Sequence, residues 1–231
     1  MISQKEIFKS GEGDCWFRRN KRNLKRLQND EDKILKIIKS IELFPKKVLE
    51  IGCSDGVRLE IIRKTYKAEC YGIDPSSEAI AEGKKRFQKI SLMVGTADDL
   101  PFDANFFDLI IFGFCLYLCD RNDLFKIAYE ADRCLINKSF LIIQDFFPSF
   151  AYKNHYAHRD GVYSYKMDYS RMFTWNPVYT EISKTIYSHT GYALRDIPDE
   201  KLAIIILRKH EQFAYPEKPF GCNAFSNLRT S

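Results

Sequence analysis

The sequence predicts an α/β domain: a mostly parallel sheet of seven strands with helices on both faces. Three observations carry this. Apolar runs of strand length alternate with segments of helical period through the first two thirds of the 231 residues. Most of those runs lack polar alternation, as strands covered on both faces do. The links between them are short, so successive strands lie side by side and point the same way.

Taken in order, residues 1–45 are expected to form an N-terminal cap and helix. Ile34, Ile37, Ile38 and Ile41 recur there at i, i+3, i+4 and i+7, one apolar helix face. Strands follow at 47–52 (KVLEIG), 69–74 (ECYGID), 91–95, 107–113 (FDLIIFG) and 139–146 (SFLIIQDF). Between them, Ile80 and Phe87 mark a second helix. Leu124, Ile127, Ala128, Ala131 and Leu135 mark a third, with Asp120 placed to cap its first turn. Two further strands, 179–189 and 202–209, joined by a turn at 191–198, add an antiparallel pair at the end of the sheet. Before them, 147–178 forms an aromatic-rich insert with no sustained period. Residues 211–231 read as a tail. The whole of 1–231 is expected to be one domain, with 46–146 as its ligand-binding half.

Composition excludes several classes. With 45% hydrophobic and 29% charged residues and few Gly or Pro, the chain is neither disordered nor collagen-like. Its longest uncharged run, 109–119, is half of what a membrane-spanning helix needs, and the first residues lack a signal peptide's apolar stretch. A soluble protein of the cytoplasm is the expectation. Seven scattered cysteines without a C-x-x-C pair suggest reduced thiols, and no metal site is expected. The net charge of +5 is mild. Six of its basic residues (Arg18, Arg19, Lys21, Arg22, Lys25 and Arg26) form an acid-free run that reads either as a solvated helix face or as an anion site.

The stretch Val48-Leu-Glu-Ile-Gly-Cys-Ser-Asp-Gly56 is the most informative. A strand ends at Ile51, Gly52 and Gly56 permit a tight turn, and a helix begins near Val57. In an open α/β sheet, nucleotide-like ligands bind at that turn. Eighteen residues beyond Gly56, the second strand ends in Asp74, placed to accept bonds from both hydroxyls of a ribose. A dinucleotide loop requires G-x-G-x-x-G, and that register here is Gly52, Ser54, Val57, which lacks two of three glycines. Glu50 and Asp55 would also repel a pyrophosphate, so a ligand bearing an ammonium suits the loop better.

E-I-G-C-S-D-G resembles the first motif of class I S-adenosylmethionine-dependent methyltransferases, with Ser54 in place of the middle glycine. Y-G-I-D-P-S resembles the second motif, V-G-T-A-D-D-L-P-F the third, and F-D-L-I-I-F-G-F-C-L-Y-L-C-D the fourth strand of that family. R-C-L-I-N-K-S-F-L-I-I resembles the approach to its fifth. The resemblance implies a Rossmann-like fold and S-adenosyl-L-methionine as cofactor, with S-adenosyl-L-homocysteine as product. It places Glu50, Gly52, Cys53, Ser54 and Gly56 in the cofactor loop, with Cys53 as a packed small residue. Asp74 and Pro75 fall at the ribose, Ala97 and Asp98 beside the adenine (with Asp99 able to exchange roles), and Gly113 and Phe114 on the floor. The N-terminal E-G-D-C-W-F-R-R-N resembles the opening of methyltransferases of surface-sugar biosynthesis, including pseudaminic acid pathways. That implies Trp16 packing on the cofactor, Arg19 on the methionine carboxylate and a sugar or sugar-linked acceptor.

The Asn/Asp-Pro-Pro-Tyr box of amino-methylating DNA and glutamine enzymes is absent, as is the paired-glutamate loop of arginine methyltransferases. A small molecule is therefore the expected partner, methylated on oxygen, amine or carbon. His155 and His158, in the insert, are the candidate bases, and Asp145 could orient one of them. Competing readings are an RNA methyltransferase using the basic run, a non-catalytic cofactor-binding partner subunit and, least favoured, a nicotinamide dehydrogenase.

Overall fold

The computed structural model describes residues 3–26, 32–188 and 197–216, with 22–26, 198 and 213 as backbone only. Its centre is a seven-stranded sheet in the order β3-β2-β1-β4-β5-β9-β8. The strands are β1 (Lys47–Ile51), β2 (Glu69–Asp74), β3 (Ser91–Val94), β4 (Phe107–Gly113), β5 (Leu135–Phe146), β8 (Tyr179–Ser188) and β9 (Lys201–Lys209). β1 to β5 run parallel, and β9 pairs antiparallel with both β5 and β8.

The missing polar alternation has a direct cause. In β4, Leu109 and Ile111 face one apolar layer while Ile110 and Phe112 face the other. The first layer takes Ile34, Leu35 and Ile38 from α3 (Lys33–Ser40) and Leu59 and Ile62 from α4 (Val57–Tyr66). The second takes Ile127, Ala131 and Cys134 from α6 (Leu124–Cys134) and Phe173 from α7 (Arg171–Thr174). Local signals start the helices. Asp32 accepts the N–H groups of Ile34 and Leu35 at 2.9 and 3.1 Å, and Ser76 Oγ accepts that of Ala79 at 3.1 Å to open α5 (Ser77–Arg86).

From β1 the chain winds outward to β2 and β3, then returns to place β4 on the other side of β1. That reversal opens a crevice above the carboxyl ends of β1 and β4. The N-terminal segment lies over it: α1 (Gln4–Ile7), a wide π-turn (Phe8–Glu12) and α2 (Gly13–Arg26).

Three expectations need correction. The insert contains an antiparallel hairpin, β6 (Tyr152–His155) with β7 (Tyr163–Lys166), and the short α7. Strands of four residues are too short to display a period. β5 begins at Leu135, not 139, and passes Lys138 at φ 67 where its register against β4 shifts. Asp120 makes no side-chain cap on the turn that leads into α6. Its carboxylate instead accepts the backbone N–H groups of Gln4 and Lys5, at 3.0 and 2.8 Å, and so caps α1. The turn expected at 191–198 lies mostly outside the described residues, as does most of the tail. No helix among the described residues is long and apolar enough to cross a membrane, and their six cysteines are free thiols.

Candidate active site

The crevice holds two lobes that meet at Trp16, Gly52, Gly113 and Phe114. The first lies over β2 and β3 and is lined by Ile73, Asp74, Pro75, Ala97 and Asp98, with Lys5 and Phe8 from the N-terminal segment. The second lies over β1 and β5 and is lined by Glu50, Cys53, Ser54, Arg58, Gln144 and Tyr187.

Glycine is required where the lobes meet. At Gly52 (φ +76) an added Cβ would come within 2.7 Å of Cys115 Cβ, and at Gly113 within 2.7 Å of Glu50 Oε1. The turn from Gly52 swings the Ser54 N–H onto Asp74 Oδ2 at 2.8 Å, and the Ser76 N–H meets Asp74 Oδ1 at 2.9 Å. Burial raises the Asp74 carboxyl to about 6 against the pull of these two donors. A half-buried carboxylate on a cavity suits a ligand that brings neutral hydroxyl donors.

In the second lobe, Glu50 receives the Arg58 guanidinium, which also bonds Asp32 at 2.7 Å and reaches Gln144 Oε1 at 3.3 Å. Burial lifts Glu50 to about 7 although Arg58 opposes the shift. Its second oxygen, Oε2, is buried without a hydrogen-bond partner. Burial pushes the Cys53 thiol well above its ordinary range, which fits a packing residue.

Asp98 is buried and Asp99 is exposed, so Asp98 is the carboxylate on the first lobe and Asp99 stands apart from it. Lys5 Nζ binds Asp98 Oδ2 at 2.7 Å and Asp123 Oδ2 at 3.0 Å. Burial works to raise the Asp98 carboxyl, but hydrogen bonds from Lys5 and Thr96 prevail and hold it below its usual range.

Arg19 lines neither lobe. Its guanidinium binds buried Glu12 at 2.5 Å and the Tyr156 hydroxyl at 2.9 Å, tying the N-terminal segment to the insert. The three expected catalytic residues are also elsewhere. His155 lies exposed against Tyr163 and His158 exposed against Tyr156. Asp145 is buried, raised to about 7 by that burial, and spends its oxygens on the N–H groups of Leu116, Tyr117 and Phe146 at 3.0, 3.3 and 2.8 Å. It holds the turn after β4 and lines neither lobe. In the basic run, Arg18 and Lys21 pair with Glu78 and Glu82 of α5, which favours the helix-face reading for them.

Lys5, Arg58, Gln144 and Tyr187 were not singled out from the sequence. For Lys5 no local signal exists, since its partners are about a hundred residues away. Arg58 could have been noticed as a basic residue three positions past Asp55 and eight past Glu50. The N-terminal segment is held over the first lobe by Gln4, whose amide donates to Leu118 O at 2.9 Å and Tyr163 O at 3.1 Å and accepts from Tyr163 N–H at 2.7 Å. Asp120→Ala is expected to release it. Hydrogen exchange at residues 3–17 should rise about fivefold, for a lost cap of ~1 kcal/mol, while the melting temperature barely moves. Unchanged exchange there would contradict the clamp.

Residues 48–138 match the family model described as a methyltransferase domain. The demethylmenaquinone methyltransferase of Thermotoga maritima is 34% identical over 112 residues, covering 47% of this chain and 47% of the relative. The chain thus spans about half the length of the curated relative it matches. Among solved structures, the 1,6-didemethyltoxoflavin-N1-methyltransferase of Burkholderia thailandensis, with 1,6-didemethyltoxoflavin and S-adenosylhomocysteine bound, aligns at TM-score 0.69 and 12% identity, covering 91% of this chain and 92% of its own. A SAM-dependent methyltransferase from Methanosarcina mazei aligns at TM-score 0.61 and 17% identity, over 75% of this chain and 97% of its own. Identities this low speak for the fold, which is the Rossmann-like methyltransferase fold.

Proposed function

We propose that the chain is an S-adenosylmethionine-dependent methyltransferase acting on a small molecule. The observation that carries this is the pairing of a half-buried and a buried carboxylate on one crevice. Asp74 lines the first lobe with capacity for ribose hydroxyls, and Glu50, whose Oε2 is buried without a hydrogen-bond partner, lines the second. A ligand with a nucleoside at one end and an ammonium at the other satisfies both. The missing glycines weigh against the pyrophosphate alternative. The match over residues 48–138 supports the same reading.

The cofactor supplies the methyl group on a sulfonium, and the chain supplies position and shelter from water. Gly52 and Gly113 let the backbone approach the middle of the crevice. Trp16 covers it, and Phe114, packed on Tyr117 and Phe146 at centroid distances of 5.0 Å each, closes the side toward the insert. No histidine lines either lobe among the described residues. The acceptor we propose is a sugar or sugar-linked intermediate methylated on oxygen, amine or carbon. The polar wall of Gln144 and Tyr187, joined by a 2.7 Å hydrogen bond, suits it. The two relatives named for their acceptors, demethylmenaquinone and 1,6-didemethyltoxoflavin, support a small molecule at the coarser level. Incubation with methyl-labelled cofactor and a panel of small acceptors tests the activity. Label should leave the cofactor for one of them, and binding without transfer to any member would favour a non-catalytic subunit.

The raised carboxyls predict a pH dependence. Ribose hydroxyls and an ammonium both favour ionised partners, and Asp74 and Glu50 ionise only through about 6 and about 7. Cofactor affinity is therefore expected to rise from pH 5 to pH 8 by about tenfold or more, then level off. The free protein behaves oppositely. Carboxyls raised by folding contribute stability below about pH 4, and that contribution is lost as pH climbs through 6 and 7. Calorimetric titration at pH 5 and pH 8 checks the affinity, and a flat profile would contradict these assignments.

A further inference from the structure

We propose that the end of the molecule opposite the crevice docks on an anionic lipid surface. β1, β2 and β3 are parallel, so α4 and α5 run back between them and finish beside the strands' N-terminal ends. The link from α3 into β1 reaches the same end. The three segments 39–46, 63–69 and 84–90 that meet there hold nine basic residues and two acids, Glu42 and Glu69. Three of the basic residues are engaged: Arg63 and Lys64 pair with Glu60, and Arg86 with Asp55. The other six, Lys39, Lys46, Lys67, Lys84, Lys85 and Lys89, are exposed, and their ammonium groups have no ion-pair partner among the described residues.

Helix dipoles account for only part of this. Lys39, Lys84 and Lys85 sit in last turns, where a cation faces the negative helix end. Lys46 and Lys89 lie in the links beyond the helices, out of that reach. The same end also carries Phe44, 75% exposed and edge-on to Tyr66 at 6.3 Å, with Lys46 two residues beyond the first ring and Lys67 next to the second. A ring standing in water among unpaired lysines has the composition of a peripheral membrane contact, in which the ring enters the headgroup layer and the ammonium groups meet lipid phosphates. The type of cation selects the partner. The unpaired groups are all lysines, point charges that suit a diffuse anionic surface, whereas Arg63 and Arg86, which could grip a phosphate with a fork, are held by carboxylates. One protruding ring also offers no row of platforms for successive bases. Contact of this kind needs no spanning helix, and it leaves the crevice facing water, open to small soluble acceptors.

The test floats the intact protein with vesicles of phosphatidylcholine alone or of phosphatidylcholine mixed with phosphatidylserine. Wild-type protein should rise with the mixed vesicles only, and less of it as salt is added. The triple variant Lys46→Gln/Lys67→Gln/Lys89→Gln should partition about a hundredfold more weakly. Phe44→Ser should lose about tenfold and keep the wild-type salt dependence, because it removes apolar contact and no charge. All four positions lie away from the crevice, so circular dichroism and the melting temperature should match the wild type, which separates a lost contact from misfolding. No wild-type binding to mixed vesicles at low salt, equal binding to both vesicle types, or binding that survives the triple substitution would overturn the proposal. So would retention of single-stranded RNA in preference to vesicles, which would give these lysines to nucleic acid. None of these outcomes depends on what the crevice binds.

Discussion

Asp74→Ala is expected to weaken S-adenosylmethionine binding by about a hundredfold or more. Two hydroxyl hydrogen bonds to a carboxylate contribute about 1.5–3 kcal/mol each, and alanine offers neither. The loss should be deeper than side-chain bookkeeping alone suggests. Asp74 also receives the Ser54 and Ser76 N–H groups, so its carboxylate holds both the glycine turn and the start of α5 against the first lobe. Equilibrium dialysis with labelled cofactor measures the affinity, and circular dichroism confirms that the variant is folded. Binding within threefold of wild type would remove Asp74 from the site.

Gly52→Ala is the second large effect. The added methyl meets Cys115 Cβ at 2.7 Å and Sγ at 3.1 Å, at a φ of +76 that alanine adopts only with strain. Left-handed strain and overpacking each cost about 1–3 kcal/mol, so a loss of about 2–6 kcal/mol is expected, a sizeable share of the stability of a single domain. Cys115 stands on the turn that leads out of β4, and pushing it back displaces the floor common to both lobes. Urea unfolding should show the midpoint fall with an unchanged slope, and cofactor binding should be lost with it. A midpoint equal to the wild type's would mean that the turn is looser than described.

What could be read from the sequence divides along physical lines. The buried parallel strands declare themselves as uninterrupted apolar runs, because two helix layers cover them. The Ile34 to Ile41 stripe declares α3, and the Gly52 to Asp74 spacing declares the ligand turn. These are local patterns set by burial and backbone geometry. The misassigned residues depend on contacts across the chain. Asp120 has the spacing of a cap for α6, yet α1 arrives from over a hundred residues away and takes its oxygens. Arg19 has the chemistry to hold a carboxylate, yet buried Glu12 and Tyr156 claim it first. His155 and His158 are suitable bases by type, but the hairpin β6–β7 leaves them on its exposed side. Asp145 ends a strand at the right edge of the sheet, and three backbone N–H groups absorb it into the scaffold. Residue type and position along a strand predict who could serve. Competition among partners decides who does.

The N-terminal segment ties these pieces together. Gln4 and Asp120 anchor its start, and Arg19 joins α2 to the insert. Lys5 and Trp16 contribute to the cavity itself. The basic run therefore works at least partly within the molecule, through its pairs with Glu12, Glu78 and Glu82.

The central claim is that this crevice holds S-adenosylmethionine. The most direct measurement is a calorimetric titration of the intact protein with that cofactor at pH 8, with NAD titrated in parallel. One saturable site for S-adenosylmethionine and no heat of binding with NAD is the predicted result. A folded protein that takes up NAD, or that gives no binding with S-adenosylmethionine, would contradict it.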